Sequence, residues 1–244
     1  MEHETGCWVE SLEQRCLLSA SLVNGVLTIE GTRRADVIRI APTFVGAGRA
    51  GINVAINGQF FYVFRMKQVQ QLRVICGLGD DYVSLDHSAQ RVIPNGNPLT
   101  GGDSTVYLNP LSIPASIAGG GGNDSIIGGW GDDALSGDAG NDSIDGNDGR
   151  DTLVGGEGDD TLAGGSGDDT VNGGNGNDDV SGDRAIIDRM PFAYLNGPDS
   201  RNIRYGKDVV IGGAGRDSFH NSDDLSEYRD ATGRDEWVVD GIVY

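Results

Sequence analysis

At 244 residues the chain has room for one or two domains, and its formal net charge is −19. Binding to nucleic-acid phosphates or to anionic lipid headgroups needs Lys and Arg, so this charge argues against both kinds of partner. The chain has 40 glycines against 6 phenylalanines, which leaves little side-chain volume for an apolar core, so we expect something else to help stabilise the fold.

The N-terminal segment contains a stretch that resembles an export element. Residues 10–20 read ESLEQRCLLSA and resemble the LEPR-XLL element of exported proteins in some bacteria, with Gln14 where Pro is usual and Cys16 at the variable position. The first four residues lack the basic region and the apolar core of a standard secretory signal, and no apolar run of the chain is long enough to cross a bilayer. The resemblance implies a secreted, extracellular protein, with residues 1–20 as an export-associated segment.

Residues 21–118 are predicted to be rich in β-strands. Asn24-Gly25 lies between two apolar runs, which is typical of a two-residue hairpin turn. No long stretch shows the apolar period of a helix. We interpret this part as an irregular solenoid or capping region, with a separate small sandwich as the alternative. The strand-like runs after the hairpin are 36–41, 52–56, 60–64, 72–76 and 82–85.

Seven nine-residue units follow one another without a gap from residue 119 to residue 181. Positions 1 and 4 are always Gly, position 6 is always Asp, and position 8 is always Ile, Leu or Val. Such regularity indicates one structural unit repeated along a solenoid. The units are GGGGNDSII, GGWGDDALS, GDAGNDSID, GNDGRDTLV, GGEGDDTLA, GGSGDDTVN and GGNGNDDVS.

The residue types at these positions indicate a cation site and a buried strand. Glycine permits a tight turn whose carbonyls point inward, and the Asp at position 6 adds a carboxylate beside them. An oxygen-only, anionic and flexible cage suits Ca²⁺ better than Mg²⁺. Positions 7–9 read as a short strand with one inward side chain. These inward residues are Ile126, Leu135, Ile144, Leu153, Leu162, Val171 and Val180.

Charge in the repeats also calls for cations. Residues 119–183 contain fifteen Asp, one Glu and one basic residue, Arg150, for a local net charge of −15 that leaves −4 for the rest of the chain. Like charge at this density opposes compaction unless cations neutralise it.

The repeat pattern breaks after residue 183 and then resumes. Residues 185–205 are interpreted as a loop inserted in one turn, either packed on the side of the solenoid or serving as a contact patch. Residues 206–211 restart the pattern, and GGAGRDSFH at 212–220 is a further unit. Residues 77–83 and 31–38 are isolated upstream copies, expected to shape turns without binding metal. Residues 221–244 are predicted to cap the C-terminal end of the solenoid.

The nine-residue units resemble the RTX (repeats-in-toxin) nonapeptide GGxGxDxUx. The resemblance implies an all-β fold, a right-handed parallel β-roll (β-solenoid) over 119–220 preceded by an irregular β-rich region. Two nonapeptides would make one turn, so Asp124, Asp142, Asp160 and Asp178 would line one edge, and Asp133, Asp151 and Asp169 the other. Each Ca²⁺ would lie between loops of repeats i and i+2. The candidate metal ligands are Asp124, Asp133, Asp142, Asp151, Asp160, Asp169, Asp178, Asp208 and Asp217.

Motifs of known catalytic centres are absent from the sequence. The chain contains no HExxH, no GxSxG, no Walker loop and no EF-hand pattern. The sequence therefore predicts a secreted, non-catalytic protein that binds several calcium ions, folds on binding them and has a structural or adhesive role. An enzyme with an unrecognised catalytic site in the N-terminal half is the alternative.

Overall fold

The computed structural model of the protein describes residues 19–45, 49–85, 89–93, 104–108, 111–183, 209–214, 217–220, 228–229, 236–239 and 242–243. Residues 1–18 of the predicted export segment, the predicted loop 185–205 and the candidate ligand Asp208 lie outside the described residues.

The described residues form strands, with one 3₁₀ turn at Met66–Gln68. The strands, in chain order, are β1 Ser19–Val23, β2 Val26–Glu30, β3 Val37–Val45, β4 Arg49–Ile56, β5 Gln59–Arg65, β6 Gln71–Leu78, β7 Tyr82–Ser84, β8 Ala89–Ile93, β9 Ser104–Leu108, β10 Ala115–Gly121, β11 Ser125–Ile127, β12 Ala134–Ala139, β13 Ser143–Asp145, β14 Thr152–Glu157, β15 Thr161–Gly165, β16 Thr170–Asn175, β17 Asp179–Asp183, β18 Val209–Ala214, β19 Ser218–His220, β20 Tyr228–Arg229, β21 Glu236–Val239 and β22 Ile242–Val243.

Two long sheets are built by strands that alternate along the chain. Sheet 1 has the order β1-β2-β6-β10-β12-β14-β16-β18-β20, and sheet 2 has the order β22-β21-β19-β17-β15-β13-β11-β7-β3-β4-β5. Through the repeats every pairing is parallel, and each strand pairs with the strand eighteen residues later, as Leu135 with Leu153. Two nonapeptides thus make one turn, which confirms the all-β parallel β-roll.

The core of the roll is a column of position-8 side chains between the two sheets. All seven inward residues predicted from the sequence are buried, and Leu153 is 0 % exposed between Leu135 and Val171 of the neighbouring strands. Each repeat contributes one large apolar side chain to this column, so each turn depends on the turns above and below it.

Upstream of the repeats the same two sheets continue with larger side chains. The Asn24-Gly25 hairpin joins β1 to β2, and both turn residues have positive φ (49° and 85°), as a type I′ turn requires. Strand β2 pairs in parallel with β6, which pairs with β10, so the sheets run unbroken from this part into the repeats. Strands β3, β4 and β5 form an antiparallel meander at one end of sheet 2.

After the break, the array resumes in register. Val210 of β18 lies beside Val171 of β16, and Phe219 of β19 lies beside Val180 of β17. Strands β20 and β21 add one strand to each sheet, and β22 pairs antiparallel with β21. No helix in the described part of the chain has the length and apolar character needed to cross a membrane.

Candidate metal centre

The six-residue turns of the roll stack in two rows, one along each edge. Turns of the first row lead from sheet 1 to sheet 2, and turns of the second row lead from sheet 2 to sheet 1. The Asp at position 6 ends each turn, so the nine-residue period sends successive Asp residues to opposite edges, as the sequence predicts. The described Asp residues at this position are Asp36, Asp81, Asp124, Asp142, Asp160, Asp178 and Asp217 in the first row, and Asp133, Asp151 and Asp169 in the second.

Except in Asp36, which begins the first row, one carboxylate oxygen of each Asp accepts a hydrogen bond from the backbone of the preceding turn. Asp142 Oδ1 accepts a hydrogen bond from the Asp124 N–H at 2.7 Å, and Asp160 Oδ1 accepts one from the Asp142 N–H at 2.8 Å. In the second row, Asp151 Oδ1 accepts from the Asp133 N–H at 2.8 Å. These side chains are only 1–3 % exposed. Each row is therefore a buried ladder of carboxylates locked to the main chain.

The second carboxylate oxygen has no protein partner in most turns. A buried carboxylate oxygen without a hydrogen bond is costly, because it has lost water and gained nothing in exchange. A bound cation would remove that cost, so these atoms identify a row of candidate ligands. The Oδ2 atoms concerned belong to Asp81, Asp124, Asp142, Asp151, Asp160 and Asp178.

The glycine at position 1 leaves open the space that these oxygens face. A Cβ built on Gly119 would overlap Asp124 Oδ2 and approach the carbonyl oxygen of Gly137, one turn further along. Gly155 shows the same arrangement with Asp160 Oδ2 and the Gly173 carbonyl. A carboxylate oxygen and a carbonyl oxygen from adjacent turns thus converge beside a residue that has no side chain.

The donor set selects a hard cation. Within the described residues no three Asp, Glu, His or Cys side chains come together as a metal-binding group, so a cation beside these turns takes part of its coordination from main-chain carbonyls. Ca²⁺ accepts such mixed carboxylate and carbonyl oxygens in irregular geometry, whereas Zn²⁺ prefers nitrogen and sulfur ligands. The residues present fit Ca²⁺.

Replacing Gly119 with Ala should destabilise the calcium-loaded protein by about 1–3 kcal/mol, because the added methyl group overfills this space. Gly121→Ala is the matched control, since a Cβ there would meet only the flexible end of Leu78, at 3.0 Å. Urea unfolding of both variants in saturating calcium measures the difference. Equal stabilities would show that the space beside Gly119 is not needed by the folded protein.

Burial raises the pKa of seven of the row carboxyls above the value of 3.8 expected in water, because desolvation disfavours the charged form. The pKa is raised to about 8 for Asp151, about 7 for Asp81 and Asp178, and about 6 for Asp133 and Asp142. The pKa values of Asp124 and Asp160 are raised by the same cause. The backbone hydrogen bond to each carboxylate opposes this shift. At pH values below these pKa values, the metal-free rows therefore hold protons where the calcium-loaded rows would hold cations.

The residue at position 2 sets the direction of the peptide in each turn. It has positive φ in Gly77, Gly120, Gly156, Gly165, Gly174 and Gly213 and also where the sequence departs from Gly, at Asp138 (73°) and Asn147 (72°). Asp and Asn tolerate this region better than other side chains, so these two departures keep the turn conformation.

An exposed row of side chains adds a second link between turns. At position 5 of the first row, Asn123 Oδ1 accepts from the Asn141 N–H at 2.8 Å, and Asn141 Oδ1 accepts from the Asp159 N–H at 3.0 Å. In the second row, Arg150 Nη2 donates to Asp132 Oδ2 at 3.2 Å, and this hydrogen bond lowers the pKa of Asp132. These contacts lie outside the buried ladder and tie the turns at the surface.

Asp36 and Asp81 were not predicted as metal ligands from the sequence, but the structure places both in the first row. Asp81 Oδ1 accepts from the Asp36 N–H at 2.6 Å, and the Asp81 N–H donates to Asp124 Oδ1 at 2.8 Å. The signal was the pair Gly77 and Gly79 at positions 2 and 4, but Cys76 at position 1 obscured it. The upstream copies are thus turns of the same ladder.

Asp36 and Asp133 differ from the Asp residues with an unpartnered Oδ2 in that both of their carboxylate oxygens are hydrogen-bonded. Asp133 Oδ2 accepts from the Gly129 N–H at 2.8 Å, and Asp36 Oδ2 accepts from the Thr32 N–H at 2.7 Å. The sequence pattern predicts Asp133 as a ligand equal to its neighbours, and this second bond was not foreseen.

Comparison with known proteins agrees with this geometry. The family model described as RTX calcium-binding nonapeptide repeat (4 copies) matches residues 116–144, 145–180 and 204–221. Comparisons with curated proteins and with solved structures gave no match. These three stretches of the chain are therefore RTX calcium-binding nonapeptide repeats, and their ion is Ca²⁺.

Proposed function

We propose that this chain is a secreted, non-catalytic protein whose roll folds when it binds calcium, in a structural or adhesive role. The observation that carries the proposal is the row of buried Oδ2 atoms without a protein partner, which in every turn except that of Asp81 lie beside a position-1 glycine. Secretion is supported by the resemblance of residues 10–20 to an export element and by the calcium-poor interior of cells, where such sites would stay empty.

Because Cys76 occupies position 1 in the turn of Asp81, we do not count Asp81 as a ligand. The ligands in this proposal are the Asp residues whose turns begin with glycine and leave Oδ2 open, with carbonyl oxygens of the following turn. They are Asp124, Asp142, Asp151, Asp160 and Asp178. Asp169, Asp208 and Asp217 remain candidates from the nine-residue pattern.

The binding energy available is large enough to decide whether the roll forms. Extracellular sites bind Ca²⁺ with Kd values of about 10⁻⁴ to 10⁻³ M, so ~1 mM Ca²⁺ over a Kd of ~0.1 mM contributes about 1.4 kcal/mol per site. About five sites contribute ~7 kcal/mol, which is within the net stability of a typical domain. Without the metal, repulsion among the Asp residues and the entropy of the glycines favour the unfolded chain.

The test is a calcium titration of the full chain, followed by far-UV circular dichroism and by equilibrium dialysis. We expect cooperative gain of β structure together with uptake of several ions per chain. Replacing Asp142, Asp151 and Asp160 together with Ala should raise the calcium midpoint and reduce the number of ions bound. A chain that is equally structured in excess chelator, or that takes up no calcium at millimolar concentration, contradicts the proposal.

A further inference from the structure

The turns of the roll fall into two classes, which differ in what satisfies the second oxygen of their Asp. In a closed turn the position-2 N–H donates to Oδ2 of the Asp in the same turn, as in residues 31–36 and 128–133. In an open turn, such as 119–124 or 146–151, Oδ2 has no protein donor. The backbone agrees with this division, because the position-2 residue has positive φ in the open turns, but neither Thr32 nor Gly129 does.

The two closed turns hold the first Asp of each row. Asp36 begins the first row, and its Oδ1 is satisfied by the side-chain amide of Asn57 at 2.8 Å. Asp133 begins the second row, because the turn before it carries Ala115 at the acidic position, and the Ala115 N–H donates to Asp133 Oδ1 at 2.8 Å. Each row therefore starts with a carboxylate that the protein satisfies by itself.

A carbonyl of the closed second-row turn is also satisfied by a side chain. The Asn147 amide donates to the carbonyl oxygen of Gly128, position 1 of that turn, at 2.9 Å. Elsewhere a position-1 carbonyl lies near the glycine and the unpartnered Oδ2 of the preceding turn, as the Gly164 carbonyl lies near Gly146 and Asp151 Oδ2. Ala115, at the acidic position of the preceding turn, has no carboxylate that could bind a cation together with the Gly128 carbonyl. The Asn147 amide donates to that carbonyl where a cation would otherwise bind.

We propose that the closed turns 31–36 and 128–133 bind no calcium, and that cation binding is confined to open turns. The inference rests on the proposed function, and it separates Asp133 from the ligands that the repeat pattern predicts. A turn with both oxygens already bonded offers a cation no energetic gain, because a hydrogen bond must break for each ligand atom supplied. The position-2 conformation thus specifies which turns take the metal, even where the sequence GGWGDD matches the repeat.

Asp133→Asn and Asp151→Asn form a matched pair for the test, because they change the same atom in adjacent turns of the second row. In saturating calcium, equilibrium dialysis should give the wild-type number of ions for Asp133→Asn and one ion fewer per chain for Asp151→Asn. Loss of an ion in Asp133→Asn would overturn the inference. Absence of any uptake by the wild type would instead overturn the proposed function.

A second measurement tests the two classes without calcium. Trimethylamine oxide favours the compact chain, so the concentration needed to fold each variant in chelator can be compared. Asp133→Asn should need more trimethylamine oxide than the wild type, because the NH₂ group that replaces Oδ2 cannot accept the hydrogen bond from the Gly129 N–H. Asp151→Asn should need less trimethylamine oxide than the wild type, because the amide that replaces the unpartnered Oδ2 can donate to the Gly164 carbonyl. Shifts of the same sign in both variants would show that the two turns do not differ.

Discussion

Replacing Leu153 with Asp should leave the protein unable to gain β structure at any calcium concentration. Leu153 is completely buried between Leu135 and Val171. Truncating a buried Leu typically costs about 2–5 kcal/mol, and an unpaired carboxylate in its place adds several more. This total destabilisation exceeds the free energy that calcium binding at a few sites supplies. No other side chain of the column can replace the packing that Leu153 provides.

Thr152→Asp is the control for this variant, because residue 152 is the exposed neighbour of Leu153 on the same strand. It adds the same charge one residue away, on the outer face of sheet 1. Far-UV circular dichroism over a calcium titration should show a near-normal transition for Thr152→Asp and none for Leu153→Asp. A normal transition in Leu153→Asp would mean that position 8 does not hold the roll together.

The periodic part of the fold follows from the sequence because each position of the nine-residue repeat has a single structural role. A nine-residue period places Asp142 and Asp160 in one row and Asp151 in the other, and it places Leu153 inside. Such a pattern survives in the structure because each strand pairs only with its copy eighteen residues away, so the register cannot slip without burying charge. The Asn24-Gly25 hairpin was predictable for a similar local reason, since few dipeptides adopt its turn.

What the sequence could not show is how each turn satisfies its own hydrogen bonds. Asp133 stands in a unit that matches the repeat, yet its second oxygen is bonded to Gly129. The difference coincides with a change in the preceding turn of the same row, where Ala115 stands in place of Asp eighteen residues earlier. A pattern read one unit at a time does not include this neighbour. Asp36 and Asp81 were set aside for the opposite reason, because their units match the pattern only in part.

The alternation of apolar residues also left the role of the upstream region open. The apolar alternation of this region predicts β-strands, but a sandwich and a solenoid both show this alternation. The structure pairs β2 with β6 and β6 with β10 in parallel, so these strands continue sheet 1 of the repeats. Pairing partners depend on long-range packing, so local periodicity does not specify them.

Acidification should replace calcium as the agent that folds the metal-free protein. Burial raises the pKa of Asp151 to about 8 and that of Asp178 to about 7, from a value of 3.8 in water. Between about pH 4 and pH 8 the folded chain thus retains protons that the unfolded chain releases. The stability of the metal-free fold is therefore greatest below this window and falls as the pH rises through it.

Calcium binding should depend on pH in the opposite direction. An ion must displace the protons held by these carboxyls, so its affinity should rise as the pH rises from about 6 to about 8. Far-UV circular dichroism in chelator should show more β structure at about pH 5.5 than at about pH 8, and the calcium midpoint should be lower at the higher pH. Metal-free protein that is less structured at the lower pH would contradict the buried position of these carboxyls.

Two Asn variants test whether buried carboxyls or surface charges cause the pH dependence of the metal-free fold. Asp151→Asn removes a carboxyl that titrates within the window, so the metal-free fold should depend less steeply on pH. Asp132→Asn removes an exposed carboxyl whose pKa is lowered by its hydrogen bond from Arg150, so the pH dependence above about pH 5.5 should stay unchanged. If both variants flatten the curve equally, general charge repulsion across the repeats, and not burial within the rows, couples this fold to protons and to calcium.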